Sequence, residues 1–148
     1  MFFDDQFKVI VSTHLKCGSV PMLYGEPGIG KSSWVESLAH DMGATFFCLA
    51  CNQLAAKEDL TGARLVPVKK KDGTETFEQK FYPHTVIRQA INAAEDDPNK
   101  KVILFLDEIN RTTPDVTSAL LSIPTMRSIG DWKLPDNIMV VLAGNDHG

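Results

Sequence analysis

The sequence lacks both a membrane-spanning segment and a secretory signal. It has no apolar run of about 18 residues, the length that a membrane helix requires. Met1-Phe2-Phe3 is followed at once by Asp4 and Asp5, unlike the basic and then apolar start of a signal peptide. We also find no internal repeat and no low-complexity segment. We therefore expect a cytoplasmic protein, not bound to a membrane, that forms one domain.

The sequence also lacks a paired set of cysteines and an excess of basic residues. The three cysteines are an odd number, and Cys48-x-x-Cys51 has no second pair to complete a zinc site, so buried thiols in a strand are the favoured interpretation. The four histidines have no ligand spacing. The net charge of −4 argues against broad nucleic-acid affinity, although a local basic patch at Lys69-Lys70-Lys71 remains.

One glycine-rich segment carries the strongest chemical signal. Gly25-Glu26-Pro27-Gly28-Ile29-Gly30-Lys31-Ser32 matches G-x-x-x-x-G-K-[ST], the phosphate-binding P-loop. An apolar run, Val20 to Tyr24, precedes it as a predicted strand, and Ser33 to Met42 follows as a predicted helix. Glycines allow successive N–H groups to point at a phosphate, and the helix N-terminus adds a favourable dipole.

This loop predicts a nucleotide site with defined roles. Lys31 is expected to contact the β- and γ-phosphates and to act in catalysis, and the Ser32 hydroxyl is expected to bind Mg²⁺. The predicted ATP-binding residues are Gly25, Glu26, Pro27, Gly28, Ile29, Gly30, Lys31, Ser32 and Ser33.

A second motif combines an apolar strand with two acids. Val102 to Leu106 is apolar throughout, as in a strand covered on both faces of a parallel sheet, and it ends in Asp107 and Glu108. Ligands of such sheets bind beyond the carboxyl ends of the strands. Asp107 is therefore predicted to hold Mg²⁺, and Glu108 to activate the water that attacks the γ-phosphate. The pair favours an ATP hydrolase over a GTPase or a small-molecule kinase.

A third apolar strand, Ile138 to Ala143, leads to Asn145. An amide at that strand end is placed to hydrogen-bond the γ-phosphate and the attacking water, although asparagine after a strand is often only a turn residue. Beside the other two motifs we interpret Asn145 as a third catalytic residue.

The remaining pattern predicts an α/β fold, with a parallel sheet sandwiched by helices. Helices are expected at Gln6 to Cys17, at Pro83 to Glu95, and from the N-cap Thr113 to about Leu121, and a second strand at Thr45 to Cys51. One segment breaks the alternation: the Asp72-Gly73 turn between two extended runs predicts a β-hairpin insert with a basic tip. Such a tip is either a contact device for a partner or a solvated loop.

Together these residues resemble the AAA+ ATPases, and within them the MoxR and dynein-related group. GEPGIGKS resembles Walker A, and LFLDEINR, at 104–111, resembles Walker B with the Asn-Arg that often follows. The segment 119–145 resembles the stretch that ends in sensor 1, with a hairpin at Ser128 to Pro135. Asp59-Leu60-x-Gly62 is similar to the turn ahead of the helix-2 insert, which would make the Lys69–Gly73 hairpin that insert.

The resemblance implies an ATP- and Mg²⁺-dependent core, residues 1–148, within an oligomeric ring, often a hexamer. Family members are chaperone-like remodellers of protein targets, frequently with von Willebrand A-domain partners. The sequence stops at Gly148, before the family's arginine finger, fifth strand and helical lid, so we expect slow hydrolysis from these residues alone. Arg111 and Arg127 are candidates for contact with a neighbouring subunit, and Asn52 for a clasp on the catalytic acid. Each of the three is also readable as an ordinary surface or turn residue.

Two alternatives remain open. A nucleic-acid motor or loader of the same superfamily would need a basic channel, and only the three hairpin lysines supply such charge. The second alternative is a non-catalytic module that binds partners in response to nucleotide.

Overall fold

The chain folds around a parallel sheet of four strands in the order β1-β8-β5-β2. The computed structural model describes residues 4–25 and 30–145. The helices are α1 (Asp5–Lys16), α2 (Lys31–Asp41), α3 (Lys57–Thr61), α4 (Thr85–Asp96) and α5 (Pro114–Met126). The strands are β1 (Met22–Gly25), β2 (Thr45–Ala50), β3 (Arg64–Lys69), β4 (Glu75–Lys80), β5 (Val102–Asp107), β6 (Ser128–Ile129), β7 (Trp132–Lys133) and β8 (Ile138–Asn145).

The two central strands, β5 and β8, are apolar because both of their faces are covered. Ile103 and Phe105 of β5 pack with α1 and α2 on one face of the sheet. Leu104 and Leu106 pack with α4 and α5 on the other. Successive side chains of a strand point to opposite faces, so an unbroken apolar run supplies both cores at once. The predicted parallel sheet between helices is confirmed.

Side-chain caps explain where three helices begin. Asp4 accepts a hydrogen bond from the backbone N–H of Phe7 at 2.8 Å, and Thr113 accepts one from Val116 at 3.4 Å. His84 caps α4 through Nδ1, which accepts from the Val86 N–H at 3.2 Å. Each cap satisfies an N–H group that the first helical turn leaves without an intrahelical partner. His84 therefore has a structural role.

The predicted β-hairpin is present as the antiparallel pair β3–β4. At its tip Gly73 has a φ of 90°, a conformation that glycine adopts without a steric penalty. Asp72 accepts hydrogen bonds from the side chain and the backbone N–H of Thr74, and these bonds lower the pKa of Asp72. Leu65 and Phe77, on one face of the hairpin, are 70% and 69% exposed. Lys69, Lys70 and Lys71 are exposed at the tip.

Most predicted boundaries shift by one or two residues: β1 begins at Met22 instead of Val20, α2 at Lys31 instead of Ser33, and β8 continues to Asn145 instead of ending at Ala143. Two further boundaries have a clear structural cause. Helix α5 ends at Met126 instead of Leu121 and contains Pro124 in its last turns. Buried Ile123 keeps this end of the helix on the sheet, and Arg127 ends it in the left-handed conformation, with a φ of 54°. Strand β2 ends at Ala50, because Cys51 begins a short 3-10 turn. Within the described ranges no helix combines the length and apolar character needed to cross a membrane.

Two leucine substitutions test the two-sided core. Leu104→Ala should destabilise the protein by about 2–5 kcal/mol, since Leu104 is fully buried in the central strand β5. Leu65→Ala makes the same chemical change at an exposed position and should shift stability by less than about 0.5 kcal/mol. Urea denaturation followed by circular dichroism measures both. Equal losses of stability would contradict the placement of these side chains.

Candidate functional site

The carboxyl ends of all four parallel strands meet at one edge of the sheet. Gly25, the last residue of β1, is paired in register with Asn145, the last residue of β8. At the other side of the sheet Ala50, which ends β2, is paired with Asp107, which ends β5. The three sequence motifs, which are far apart along the chain, therefore converge on this edge.

Lys31 begins helix α2 at this edge, and its side chain is buried, with the residue only 6% exposed. Its Nζ donates to Gly144 O at 2.7 Å, to Asn145 Oδ1 at 3.0 Å and to Gly25 O at 3.2 Å. An ammonium has three N–H donors, and these three oxygens account for all of them.

This ammonium forms no ion pair with a carboxylate of the described residues. Lys31 is the one charged residue classed as buried there, and it takes part in none of the ion pairs found in that part of the chain. Burying a charge without a counter-charge is costly. A buried cation with only neutral oxygen partners is suited to an anion that arrives from solution.

Asn145 is held by its neighbours yet retains a free donor. The residue is 3% exposed, and its Oδ1 accepts from Lys31. Its Nδ2 is buried and has no hydrogen-bond partner among the described residues. A buried amide N–H₂ without an acceptor is unfavourable, so this atom marks a place where a ligand oxygen would be stabilised.

The two acids occupy a tight turn after β5. Glu108 has a φ of 56°, an uncommon backbone conformation for a residue other than glycine. Its N–H donates to Asp107 Oδ1 at 2.9 Å. Both acids are half-buried. Strained backbone of this kind persists only where surrounding contacts enforce it, and it clusters at functional sites.

Ser32 and Asp107 share a neighbour in Cys48. The Cys48 Sγ lies 4.0 Å from Ser32 Oγ. Burial raises the pKa of Cys48, a hydrogen bond with Ser32 opposes that shift, and the charge of Asp107 adds to it. Burial, with a further contribution from Asp107, raises the pKa of Cys51 to about 12. The Ser32 hydroxyl thus contacts Cys48, and Asp107 ends the strand that is paired with the Cys48 strand.

These two oxygen donors fit a hard divalent cation. Hydroxyl and carboxylate oxygens with water are the ligands that Mg²⁺ prefers, and the buried, protonated thiols beside them are not. No group of three or more His, Cys, Asp or Glu side chains in the described ranges is arranged to hold a metal by itself. Ser32 and Asp107 would thus suit a cation that is also held by water and substrate phosphates.

The remaining loop residues are only partly described. Gly30 has a φ of 80° and is exposed just before α2, and Ser33 is exposed on the first turn of that helix. Glu26, Pro27, Gly28 and Ile29 lie outside the described residues, so their predicted phosphate contacts remain a prediction.

Of the three residues considered for contacts at the site, Arg127 has a structural role within its own chain. The Arg127 guanidinium donates to Pro135 O at 2.7 Å and to Ile138 O at 2.9 Å, so it anchors the segment that enters β8 within its own chain. Asn52 is an exposed residue of the 3-10 turn. Arg111 is exposed after the Glu108 turn and remains a candidate for contact with a neighbour.

Asn110 also contributes to the site, although the sequence analysis did not name it as a site residue. Its Nδ2 donates to Asn145 O at 2.8 Å, and its Oδ1 accepts from Asn145 N at 3.1 Å. The available signal was its position three residues after Asp107, in the Asn-Arg pair. Its partner on another strand could be known only from the fold.

Comparisons with known proteins agree with this architecture. The family model of the AAA domain, dynein-related subfamily, matches residues 21–134. The fold is similar to the crystal structure of a protein assigned as an ATPase from Cytophaga hutchinsonii, with a TM-score of 0.56 and 20% identity. It is also similar to a mutant of RuvB from Thermotoga maritima, with a TM-score of 0.54 and 15% identity. Each alignment covers 97% of this chain and 38% of the other. A comparison with curated proteins finds no match.

Thiol reactivity tests the packing around Cys48 and Cys51. At about pH 8, native protein should show one fast-reacting thiol, the exposed Cys17, when treated with an aromatic disulfide reagent. Cys51 should react about 10³-fold more slowly than an ordinary cysteine, because a pKa of about 12 leaves little thiolate until the solution is far more alkaline. Cys17→Ser should remove the fast phase, and denaturant should expose every remaining thiol. Two or more fast thiols in the native wild type would contradict the described packing.

Proposed function

Because this chain belongs to the dynein-related subfamily of AAA domains, a family of nucleotide-binding ATPase domains, we propose that residues 1–148 form an ATP-binding and ATP-hydrolysing core. The observation that carries the proposal is the buried Lys31 ammonium, which has three neutral oxygen partners and no ion-pair partner among the described residues. The β- and γ-phosphates of ATP supply the missing negative charge. Lys31 binds them at the N-terminus of α2, with phosphate oxygens replacing some of its present oxygen partners, and the helix dipole there also favours an anion.

The free donor of Asn145 supports hydrolysis as well as binding. With Oδ1 directed to Lys31, the amide presents Nδ2 as a donor beside that lysine. We assign this donor to an oxygen of the γ-phosphate and to orientation of the attacking water. Such a donor stabilises charge that develops in the transition state.

Glu108 is the proposed general base. It accepts a proton from water as the water oxygen forms its bond to the γ-phosphorus and the bond from phosphorus to the bridging oxygen breaks. ADP and inorganic phosphate are the products. The half-buried carboxylate is held in the tight turn beside Asp107, near the strand end that carries Asn145.

Ser32 and Asp107 would hold Mg²⁺, whose chemistry when bound is to neutralise charge on the β- and γ-phosphate oxygens. Ser32 contacts Cys48 of β2, and β2 is paired with the strand that Asp107 ends, so both oxygen donors are on adjoining elements at this edge.

AAA+ proteins commonly form oligomeric rings, and we propose that a ring of this chain remodels a protein target in the manner of MoxR proteins. The chain spans 38% of the length of the two solved structures, so the target, the ring and any von Willebrand A-domain partner are inferences about the whole protein. Arg111 is exposed beside the Glu108 turn and is the candidate for contact between subunits. An arginine from a neighbour would stabilise charge on the transferred phosphoryl group.

Two substitutions separate binding from hydrolysis. Lys31→Ala should weaken ATP binding by at least about tenfold, since it removes the cation that meets the phosphates. Glu108→Gln should keep ATP affinity and reduce turnover by about 10²–10⁴-fold, because an amide cannot accept the proton of water. Calorimetry measures affinity, and phosphate release measures turnover. Lys100→Ala, at an exposed site, is the matched control and should change neither. If Glu108→Gln lost ATP affinity as Lys31→Ala does, Glu108 would not be the base.

The hairpin lysines separate a protein remodeller from a nucleic-acid motor. Changing Lys69, Lys70 and Lys71 to Ser should leave ATP affinity unchanged, since these exposed residues are on the separate β3–β4 hairpin. A protein remodeller should have little affinity for DNA in either form of the chain. A control with Lys100, Lys101 and Lys133 changed to Ser removes the same charge elsewhere on the surface. Binding to single-stranded and duplex DNA is titrated with salt. A steep salt dependence in the wild type, flattened only in the hairpin variant, would favour the motor.

A further inference from the structure

A single side chain joins the turn that carries the two acids to the end of strand β8. The Asn110 amide spans both polar groups of the Asn145 backbone, with Nδ2 to O at 2.8 Å and Oδ1 to N at 3.1 Å. One residue earlier, the Ile109 N–H donates to Ala143 O at 3.1 Å. Three hydrogen bonds therefore connect the turn that follows Glu108 with the last three residues of β8.

The sheet itself does not provide this connection. The β5–β8 pairing reaches Leu106 and Leu142. After Leu106 and Asp107 the chain leaves the sheet at the Glu108 turn. Strand β8 continues to Asn145, which is paired only with Gly25 of β1. The bonds from Ile109 and Asn110 thus replace the missing ladder contacts between the acidic turn and Asn145.

Close packing leaves little freedom in this connection. A Cβ added to Gly144 would lie 3.2 Å from Asn110 Oδ1 and 3.3 Å from a ring carbon of Tyr24. The absence of a side chain at Gly144 therefore lets the Asn110 amide approach the β8 backbone. Any shift of Asn110 would be passed to the Asn145 backbone, to which both ends of its amide are bonded.

We propose that Asn110 is a positioning residue that holds the Asn145 side chain where it contacts the γ-phosphate, and that keeps it in register with Glu108. The inference rests on the proposed function of this edge as an ATP site. In this role Asn110 acts on Asn145 through the backbone and not on the nucleotide. The buried Nδ2 of Asn145, which has no partner among the described residues, would donate to the phosphate.

The proposal predicts a loss of discrimination between nucleotides. ATP and ADP differ by the γ-phosphate, so misplacement of Asn145 should weaken binding of ATP and leave that of ADP nearly unchanged. We expect Asn110→Ala to reduce the preference for a non-hydrolysable ATP analogue over ADP by about tenfold, the value of one hydrogen bond to a charged group. The ADP affinity should change by less than about threefold.

Another asparagine provides a matched control. Asn137 is 8% exposed, and its Nδ2 donates to the backbone oxygens of Ala94, Asp97 and Lys100 at the opposite end of β8. Asn137→Ala removes an amide of the same kind, bonded in the same way to backbone, away from Asn145. It should lower the melting temperature and leave the preference for the ATP analogue unchanged.

A second variant covers the case in which Asn110→Ala does not fold. Asn110→Asp keeps an oxygen that can accept from the Asn145 N–H but replaces the donor with an oxygen that faces Asn145 O. It should reduce the preference in the same direction. Thermal melting and circular dichroism establish folding, and calorimetry with the 148-residue protein, Mg²⁺, ADP and the analogue gives the affinities.

The outcomes distinguish the inference from the function on which it rests. Wild-type protein that binds no nucleotide would overturn the ATP site and the inference together. A wild type that prefers the analogue, with folded Asn110 variants that keep this preference, would overturn only the role of Asn110. Equal weakening of ADP and analogue, or the same loss of preference in Asn137→Ala, would also overturn it, since general loosening would then explain the effect. Selective loss in the Asn110 variants alone is the expected result.

Discussion

The insertion of β8 between β1 and β5 is the constraint on which the rest of this structure depends. Because all three strands run in parallel, their carboxyl ends lie at one edge. Gly25 is both the last residue of β1 and the first residue of the glycine-rich loop, and it is paired with Asn145, the last residue of β8. The buried apolar faces of β5 and β8 hold this arrangement, since a one-residue slip would exchange the side chains that face the two helical layers.

At that edge the structure tolerates polar groups that a core would ordinarily exclude. Among the residues that the structure describes, Lys31 is buried without an ion-pair partner and the buried amide nitrogen of Asn145 has no hydrogen-bond partner, while Glu108 has a positive φ. Each is unfavourable in isolation, and the three occur together at the ends of neighbouring strands. Such concentration is typical of a site whose stabilising partner is a ligand. The Ile109 backbone N–H and the Asn110 side-chain amide are both hydrogen-bonded to the β8 backbone, and they tie the acidic turn to this strand.

Away from that edge, polar side chains are hydrogen-bonded to backbone oxygens of the same chain. Arg127 gives its donors to Pro135 and Ile138, and Asn137 to three carbonyl oxygens before β5. The β3–β4 hairpin instead leaves Leu65 and Phe77 exposed behind its basic tip. It is attached to the α/β core without contributing to either of the two hydrophobic clusters.

The sequence by itself determined the order and type of the main elements and named the residues of the candidate site. The unbroken apolar run before Asp107 predicted a doubly covered strand, Asp72-Gly73 predicted the hairpin, and the glycine pattern before Lys31 predicted the phosphate loop, because each of these signals is local. Only the tertiary structure decided which residues meet. The Lys31–Asn145 bond, the amide of Asn110 on the β8 backbone and the use of Arg127 within its own chain join residues that are distant in sequence or on different elements. The end of α5 at Met126 was likewise unpredictable, since the packing of Ile123 on the sheet carries the helix through Pro124. Local propensity records what one segment prefers, whereas a hydrogen bond between strand ends exists only after the whole sheet has set their register.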